Sequence, residues 1–383
     1  MKILIIRLSS IGDCVLASPV VEALRERYPH AHLTWAVQAK SVSVVRGLPG
    51  LDETLLWDDR RRRWRSLAHA LYKTRRSRFD VALDLQGLDK AGLFSIASGA
   101  RRRVTGDGAR RIAHWSGNEH VAEEEKMHAR LFYLRRAASL DIAPDAAERF
   151  FPRLPMTATH RRLADEFLTH AGINADHKIV VLNLGASVPQ NRWPAERFAI
   201  LANNLLAADD EIRIVVTGAT QDAHLLERFE AQLALTYGEK RKKSVPGAMV
   251  NAVGTTLSGN AWPGRVLTAV GRIDLLQLAA VAERASAFVT ADTGPMHIAA
   301  AAGAPVLALF GPANAAGTGP VHKPGNAPIH VLDARDVTGH WPAPMEALEV
   351  GAVESEVLRL ICDAASWRKT GGVAPSFFVE PGI

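Results

Sequence analysis

The amino-acid sequence predicts an α/β protein built from doubly wound parallel sheets. Short apolar runs alternate with helical patterns along most of its 383 residues, as parallel βαβ units require. The alternation breaks around residues 150–158, where Pro152 and Pro155 lie, and then starts again. Several apolar runs end in small polar residues and lead directly into a helix. The sequence therefore predicts two similar domains with a boundary near residues 150–158.

Composition indicates a soluble globular chain, with 48% hydrophobic residues. No apolar run approaches the roughly 18–20 residues of a membrane span, and the first strand begins at Lys2, so we expect a cytoplasmic protein with no leader. Cys14 and Cys362 are far apart and belong to no CxxC or Cys/His cluster. We therefore expect reduced thiols and neither a disulfide framework nor a metal site.

The first half predicts strands at residues 3–8, 33–37, 53–57, 81–85 and 102–106. The loop Ser9 to Asp13 follows the first of them and leads into a helix predicted to begin near Cys14. Further helices are predicted at residues 19–27, 64–73 and 123–140, the last of which carries His128.

The second half repeats this pattern, with strands predicted at residues 179–184, 212–217, 266–270, 287–290 and 306–310. Residues 237–265 are charged at first and then rich in glycine, which favours an exposed loop. Residues 354–367 predict a terminal helix, and residues 370–383 form a tail containing Gly and Pro.

The stretch Asp292-Thr293-Gly294-Pro295-Met296-His297 lies between a predicted strand and an alanine-rich helix. Such a junction presents unpaired backbone N–H groups and the positive end of a helix dipole, which together can hold a phosphate without a metal. The alternative is an ordinary turn with Asp292 as the helix N-cap. A second strand ends nearby at Gly311, so two sheet ends with small residues are expected to face one crevice.

Arginine is concentrated in the first third of a chain whose net charge is +6. The clusters comprise Arg60–Arg63 with Arg65 around Trp64, then Lys73, Arg75, Arg76 and Arg78, and then Arg101–Arg103 with Arg110 and Arg111. Nucleic acid, anionic lipid or an acidic glycolipid would each suit such a surface. The alternative is a set of solvated helix faces.

Several short motifs occur in a fixed order, and the sequence resembles the family 9 glycosyltransferases, the heptosyltransferases of lipopolysaccharide core assembly, in that order and spacing. Each motif alone is unspecific. The resemblance extends over about residues 1–320, with residues 237–265 as its main gap. The motifs are Ser9-Ser10-Ile11-Gly12-Asp13, Asp84-Leu85-Gln86-Gly87, Arg192-Trp193-Pro194, Asp292 to His297, Gly303-Ala304-Pro305 and Phe310-Gly311-Pro312.

The resemblance implies a GT-B fold, in which two Rossmann-like doubly wound domains face each other across a cleft. Residues 1–155 would bind the acceptor, residues 156–350 would bind the nucleotide sugar, and residues 351–383 would form a C-terminal helix and tail. It also implies inverting chemistry that needs neither a metal nor a cofactor. ADP-heptose is the expected donor, and a lipopolysaccharide core is the expected acceptor.

The resemblance assigns the catalytic base to Asp13 and donor binding to Asp292, Thr293 and Gly294, with His297 in the same motif. An inverting displacement needs one carboxylate to take the proton of the acceptor hydroxyl, and Asp13 on an exposed loop would suit that role. The alternative role for Asp13 is to cap the following helix or stabilise its dipole. His297 either contacts the donor or is a buried packing residue.

Charge on the leaving diphosphate must be met by N–H groups and cations when no metal is present. Ser187, with Thr293 and Gly294, can supply the former, and Arg192 is the natural cation. The family commonly has lysine immediately before this position, where this chain has Asn191. The alternative for Arg192 is a surface side chain stacked on Trp193.

Asp222 follows a predicted strand and could accept hydrogen bonds from ribose hydroxyls, or it could cap the next helix. For the acceptor, the predicted binding residues are Ser10, Gly12, Arg60, Arg61 and Arg63.

The expected partners are a nucleotide-sugar donor, an anionic glycolipid and the inner face of the inner membrane through peripheral contact, but not nucleic acid. One alternative is a nucleotide-sugar epimerase of the same architecture. Another is a non-catalytic protein that binds nucleotide sugars or nucleic acid. A nicotinamide oxidoreductase is disfavoured because neither half carries GxGxxG after its first strand.

Overall fold

The computed structural model describes residues 1–60, 63–122, 127–244 and 264–371. The chain divides into two compact units, the first comprising Met1–Met156 with Ala316–Lys323 and the second comprising Thr157–Ala315 with the chain from Pro324 onward. The segment Ala316–Lys323 was expected in the second domain. It belongs with the first unit, where the carbonyl oxygen of Gly319 lies 3.1 Å from Nε2 of His128.

The described part of the first unit contains a parallel sheet of six strands in the order β3-β2-β1-β4-β5-β6. The sequence analysis missed β6, a three-residue edge strand without an apolar run. The strands are β1 (Lys2–Ile6), β2 (His32–Gln38), β3 (Glu53–Trp57), β4 (Val81–Asp84), β5 (Arg102–Gly106) and β6 (Glu119–Val121).

Helices follow most of these strands, and two of them begin at positions other than those predicted. The first begins at Ile11 rather than near Cys14, because Ser10 caps it. The predicted helix 123–140 begins at Ala129 after the N-cap His128, and residues 123–126 lie outside the described residues. The helices are α1 (Ile11–Ala17), α2 (Pro19–Arg27), α3 (Arg63–Ser77), α4 (Asp89–Ser98), α5 (Arg111–Ser116), α6 (Ala129–Ala138) and α7 (Ala146–Arg149).

The second unit's described strands form a parallel sheet in the order β12-β11-β10-β7-β8-β9. The sequence analysis missed β12, an edge strand that carries His330 and Asp333 and is only partly buried. The strands are β7 (Lys178–Asn183), β8 (Ile212–Thr217), β9 (Val266–Thr268), β10 (Ala287–Ala291), β11 (Val306–Phe310) and β12 (Ile329–Asp333).

The helices after residue 157 correct two predictions. The predicted loop 237–265 begins as helix, because α10 continues to Ser244, and residues 245–263 lie outside the described residues. The C-terminal helix packs on α9 and β10 and so belongs to the second unit, whereas residues 372–383 of the predicted tail are not described. The helices are α8 (Ala158–His170), α9 (Ala195–Ala208), α10 (Ala223–Ser244), α11 (Leu275–Arg284), α12 (Gly294–Ala301), α13 (Ala315–Thr318), α14 (Ala334–Thr338) and α15 (Val350–Lys369).

Central strands of both sheets are buried on their two faces, which explains why they read as continuous apolar runs. Trp57 and Phe94 pack together in the first core, and Trp193 and Phe198 do so in the second. None of the helices within the described ranges is long and apolar enough to cross a membrane.

Each sheet has one point at which the direction of winding reverses. In the first unit it lies between β1 and β4, and in the second it lies between β7 and β10. Ligands of open α/β sheets bind outside the carboxyl ends of the strands at such switch points. The motifs that begin at Ser9 and Asp84 follow β1 and β4. The Arg192-Trp193-Pro194 motif lies between β7 and α9, and the motif that begins at Asp292 follows β10.

Candidate active site

Asp13 lies within the first turn of α1, and not on an exposed loop as predicted. Ser10 is the N-cap, and Oδ2 of Asp13 accepts hydrogen bonds from the backbone N–H of Ser10 at 3.1 Å and from its Oγ at 2.8 Å. The two residues thus form a capping box, so the predicted alternative describes the local role of Asp13. Its side chain is nevertheless 30% exposed and remains accessible to a ligand.

Asp13 also pairs with a buried cation from the end of β1 and with a buried phenol from α6, which is distant in sequence. Nη2 of Arg7 lies 2.6 Å from Oδ2, and the Tyr133 hydroxyl donates to Oδ1 at 2.7 Å. The Arg7 guanidinium lies over the Tyr133 ring, 5.0 Å from its centre, and donates through Nη1 to the Leu85 carbonyl at 3.0 Å. Arg7 therefore joins the ends of β1 and β4 to Asp13.

These contacts determine the pKa values of Asp13 and Tyr133. Burial alone would raise the pKa of Asp13, but the charge of Arg7 and the hydrogen bonds from Tyr133 and Ser10 outweigh it and hold that pKa well below its usual range. Burial and the neighbouring Asp13 raise the pKa of Tyr133 well above its ordinary value. The pair therefore exists as a carboxylate and a neutral phenol at neutral pH.

Asp84, at the end of β4, is a carboxyl whose pKa is shifted in the opposite direction to that of Asp13. It is buried, and Oδ1 accepts from the backbone N–H groups of Gln86 at 2.7 Å and Gly87 at 2.9 Å. Burial raises the pKa of Asp84 despite these bonds and despite the charges of Arg136 and Arg7. The turn also needs glycine, because Gly87 has φ +67°.

The loops after β1 and β4 are joined directly, since Oε1 of Gln86 accepts from the Leu8 N–H at 2.9 Å. Arg136 on α6 donates to the Asp84 carbonyl at 2.9 Å. The sequence analysis did not single out Gln86, Arg136, Arg7 or Tyr133 as site residues. The Asp84 to Gly87 motif was the signal for the first of these, and no local pattern marked the others.

The predicted acceptor-binding residues are distributed unevenly. Ser10 is exposed beside Asp13, whereas Gly12 is buried inside α1. Arg60 is exposed and pairs with Asp58, with 3.0 Å between Nε and Oδ1. Arg61 lies outside the described residues, and only the backbone of Arg63 is described, as the first residue of α3.

Two arginines of the third basic cluster have internal roles. Arg102 pairs with Glu119 at 2.6 Å, and Arg103 donates to the Ser116 and Ala100 carbonyls at 2.6 and 2.7 Å. They hold β5 against its neighbours. The prediction of a binding surface from this cluster therefore does not apply to Arg102 and Arg103.

In the second unit, a buried amide spans the switch point. Nδ2 of Asn183 donates to the Gly185 carbonyl at 3.0 Å and to Oγ1 of Thr290 at 3.1 Å, and its Oδ1 accepts from Oγ1 of Thr217 at 3.3 Å. These side chains fix the carboxyl ends of β7, β8 and β10 relative to one another. The sequence analysis missed them, although an asparagine at the end of an apolar strand was a visible signal.

Asp222 is only 5% exposed, and its Oδ2 accepts from the backbone N–H of Ala219 at 2.9 Å. A Cβ atom at Gly185 would lie 2.2 Å from the same oxygen, so this carboxylate fills the space beneath the glycine turn. The burial favours a structural role at the start of α10 over the predicted contact with ribose hydroxyls.

The junction after β10 is a strand, a short turn and a helix, as predicted. Thr293 occupies the N-cap of α12, so the alternative that Asp292 is the N-cap is wrong, and Gly294 is the first helical residue. Asp292 is half-buried, and Nδ2 of Asn191 lies 3.4 Å from its Oδ2. His297 is buried one turn into the helix.

Arg192 lies beside the turn that follows β7. Its Nε donates to the Ala186 carbonyl at 3.0 Å, which holds the half-buried guanidinium next to the exposed Ser187. Trp193 is buried, packs edge-to-face on Phe198 and donates to the Leu348 carbonyl at 2.9 Å. Trp193 thus belongs to the core, and the predicted surface stack with Arg192 is wrong.

Within the described ranges, no group of three or more His, Cys, Asp or Glu side chains is arranged to hold a metal ion. Both cysteines are free thiols, and burial raises the pKa of Cys14 to about 12, so this thiol is inert.

Two Rossmann-like units in one chain, each with polar motifs at its switch point, are the architecture of the GT-B fold. The chain belongs to glycosyltransferase family 9 (heptosyltransferase), whose family model matches residues 64–246 and 255–330. This confirms the resemblance and the fold class predicted from the sequence. It also favours sugar transfer over the epimerase and non-catalytic alternatives.

Individual relatives are similar at low identity. The lipopolysaccharide core heptosyltransferase OpsX of Haemophilus influenzae is 22% identical over 310 residues, which cover 80% of this chain and 78% of that protein. Among solved structures, a family 9 glycosyltransferase from Veillonella parvula has a TM-score of 0.73 at 21% identity, covering 94% of this chain and 97% of its own. The Escherichia coli ADP-heptose LPS heptosyltransferase II has a TM-score of 0.71 at 20% identity, covering 94% and 99%.

Proposed function

We propose that this glycosyltransferase moves a heptose from ADP-heptose onto a lipopolysaccharide core acceptor, with inversion at the anomeric carbon and without a metal. The observation that carries the proposal is an ionised, partly exposed carboxylate, that of Asp13, at the switch point of the first unit. A family 9 relative that acts on lipopolysaccharide core and a structural relative that uses ADP-heptose support this choice of substrates.

In the proposed reaction, Asp13 is the general base. The acceptor hydroxyl attacks the anomeric carbon as its proton passes to the Asp13 carboxylate, and the bond to the ADP leaving group breaks on the opposite face. A single displacement of this kind inverts the anomeric centre. General bases of this type contribute roughly 10²–10⁴-fold to rate.

The second unit is proposed to bind the donor. Negative charge accumulates on the diphosphate as the bond breaks, and we propose that Arg192, whose Nε donates to the Ala186 carbonyl, meets that charge. Backbone N–H groups of Ser187 and Gly294 are proposed to supply further donors, with Thr293 at the helix N-cap. Because Asn191 is neutral, Arg192 carries the cationic role without the lysine that the family commonly has.

The remaining donor residues are proposed to bind the sugar or the phosphates. Asp292, whose Oδ2 lies 3.4 Å from Nδ2 of Asn191, is proposed to accept hydrogen bonds from sugar hydroxyls. His297, which is buried one turn into α12, is proposed to contact the donor from the same motif.

We further propose a cytoplasmic location with peripheral contact to the anionic inner face of the membrane. On the first unit, Trp64 is 78% exposed and Trp115 is 89% exposed, and Arg111, Ile112 and Trp115 line one surface cavity. Exposed indole rings beside arginines are suited to an interface between headgroups and acyl chains. An anionic bilayer also matches the positive net charge.

The membrane contact is tested by co-sedimentation with vesicles containing phosphatidylglycerol. Arg111→Ser combined with Trp115→Ser is expected to lower the bound fraction several-fold. Arg162→Ser, which removes an exposed arginine of the second unit, is the control and should leave binding unchanged. Equal binding by all three proteins would contradict the proposed surface.

The transfer reaction is tested with purified protein, ADP-heptose and a truncated core lipid, in buffer with EDTA. Mass spectrometry should detect addition of one heptose, and NMR should give the inverted anomer. Conversion of the donor without an acceptor would support the epimerase alternative instead. Tight, salt-sensitive binding of RNA with no turnover would support the non-catalytic alternative.

A further inference from the structure

We propose that Tyr133 is a positioning residue that aims the Asp13 carboxylate, and that Oδ1 of Asp13 is the atom that takes the acceptor's proton. The inference rests on the proposed function and deepens it. It assigns a role to a buried side chain on α6 and distinguishes the two oxygens of the base.

The two carboxylate oxygens have different surroundings. Oδ2 accepts from Nη2 of Arg7 at 2.6 Å, from Oγ of Ser10 at 2.8 Å and from the Ser10 N–H at 3.1 Å. A carboxylate oxygen has about two lone-pair sites, so these three donors saturate it. Oδ1 accepts from Tyr133 at 2.7 Å, which is its one hydrogen-bond donor among the described residues. One lone pair of Oδ1 is thus left for an acceptor hydroxyl.

Tyr133 is itself held firmly. It is buried on α6, and the Arg7 guanidinium covers its ring at 5.0 Å. Burial, followed by the proximity of Asp13, keeps the pKa of Tyr133 above its ordinary value, so the phenol donates a proton in its hydrogen bond throughout the neutral range. The hydroxyl therefore fixes the rotation of the carboxylate and occupies only one of the two lone pairs of Oδ1.

Loss of this hydroxyl has two opposing effects on kcat, and their magnitudes decide whether kcat rises or falls. One donated hydrogen bond lowers the pKa of a carboxylate by roughly one unit, so removing it makes Asp13 a stronger base and speeds proton transfer by less than about 10-fold. Loss of orientation by about 1 Å can slow a reaction by roughly 100-fold. A net decrease in kcat of about 10-fold is therefore expected.

The test is Tyr133→Phe, which keeps the ring and removes the hydroxyl. We expect kcat to fall about 10-fold and the KM for ADP-heptose to stay unchanged. Tyr28→Phe is the matched control, because the Tyr28 hydroxyl also donates inside the first unit, to the Leu140 carbonyl at 2.8 Å. It should leave both kcat and KM unchanged.

A double-mutant cycle separates positioning from packing. If Tyr133 acts through Asp13, Tyr133→Phe should cause no further loss in an Asp13→Asn background. The same loss in both backgrounds, or an unchanged kcat in the single variant, would overturn the inference. If Tyr133→Phe does not fold, ¹⁹F NMR of fluorotyrosine-labelled enzyme replaces it. Asp13→Asn and acceptor binding must each shift the Tyr133 resonance, and an unmoved resonance would also overturn the inference.

Failure of this inference differs from failure of the proposed function. Absence of heptosyl transfer by the unmodified enzyme would remove the proposed function. Normal transfer by the unmodified enzyme, with Tyr133→Phe and Tyr28→Phe behaving alike, would remove only the role of Tyr133.

Discussion

The two units have the same sheet topology, yet their switch points are built from different chemistry. At β1 and β4 the side chains are charged and interlocked, with Arg7 between Asp13 and the Leu85 carbonyl and Arg136 on the Asp84 carbonyl. At β7 and β10 a neutral amide, that of Asn183, fixes the strand ends, and small residues form the turns. The proposed division of roles asks for an ionised base in the first unit and for hydrogen-bond donors to a diphosphate in the second.

The largest expected effect follows the removal of the ionised carboxylate of Asp13 from the first switch point. Asp13→Asn should lower kcat for heptosyl transfer by about 10²–10⁴-fold, because the amide cannot accept the acceptor's proton. Steady-state kinetics with ADP-heptose and core lipid measures the loss. Affinity for ADP, measured by calorimetry, should stay unchanged because the donor is proposed to bind the second unit. Retained activity would show that the charged network has another purpose.

The next largest effect is expected from removing Arg192, the cation at the second switch point. Arg192→Ala should lower kcat by about 100-fold, since one donor to a developing anion is removed. ADP binding should weaken as well. Arg162→Ala, an exposed arginine of the same unit, is the control. If Arg192→Ala binds ADP normally and turns over at the usual rate, the diphosphate is held by other groups.

A third change tests whether the neutral amide is needed for stability. Asn183→Leu should lower the free energy of unfolding by about 2 kcal/mol, because it removes the partner of buried hydroxyls on Thr217 and Thr290. Urea denaturation measures the change. Asn204→Leu alters an amide on α9 whose partner is the carboxylate of Glu354 in a part-buried position, and it should cost less. An equal cost at both sites would contradict the special role of the switch point.

The smallest expected effect is on the pH dependence of stability, and it concerns Asp84, the second carboxyl of the first switch point. The raised pKa of Asp84 means that the folded state binds more protons than the unfolded chain once the pH exceeds the ordinary value of about 3.9. The contribution of Asp84 to the stability of the folded state is therefore present below this value and is lost as the pH rises through the raised pKa. Asp84→Asn keeps an oxygen for the N–H groups of Gln86 and Gly87, and it should gain stability relative to the unmodified protein as the pH rises from acid to neutral.

Asp52 is expected to change the stability of the protein with pH in the opposite direction. Burial would raise its pKa, but the Leu33 N–H and Arg25 outweigh burial and lower it. Its contribution is present above the ordinary pKa and is lost as pH falls through the lowered value. Asp52→Asn should therefore be less stable than the unmodified protein at neutral pH and similar to it in acid. Identical pH dependence for Asp84→Asn and Asp52→Asn would contradict the assignment of Asp84.

Sequence reasoning predicted the central strands because burial on both faces leaves continuous apolar runs. It missed β6 and β12 because Glu119–Val121 and Ile329–Asp333 lie at sheet edges and mix polar with apolar residues. It also located the motifs at the strand ends, since those motifs are local. The capping relation between Ser10 and Asp13 is visible in the sequence at a spacing of three residues, although the prediction for Asp13 was a loop.

The rest of the site depends on contacts between distant residues. Tyr133 is 120 residues from Asp13, and Asn183 is 107 residues from Thr290. No local period or spacing reports such a pair. The buried position of Trp193 likewise depends on Phe198 and on Leu348 from the end of the chain, so the environment of Arg192 could not be predicted from its neighbours.

The return of Ala316–Lys323 to the first unit affects any attempt to separate the two halves. A fragment ending at Met156 would lack Gly319, the residue that meets His128, and the complementary fragment would carry a stretch that folds elsewhere. Dissection at a single cut therefore damages both products. Independent expression of the first unit would need the peptide 316–323 grafted on or supplied in trans.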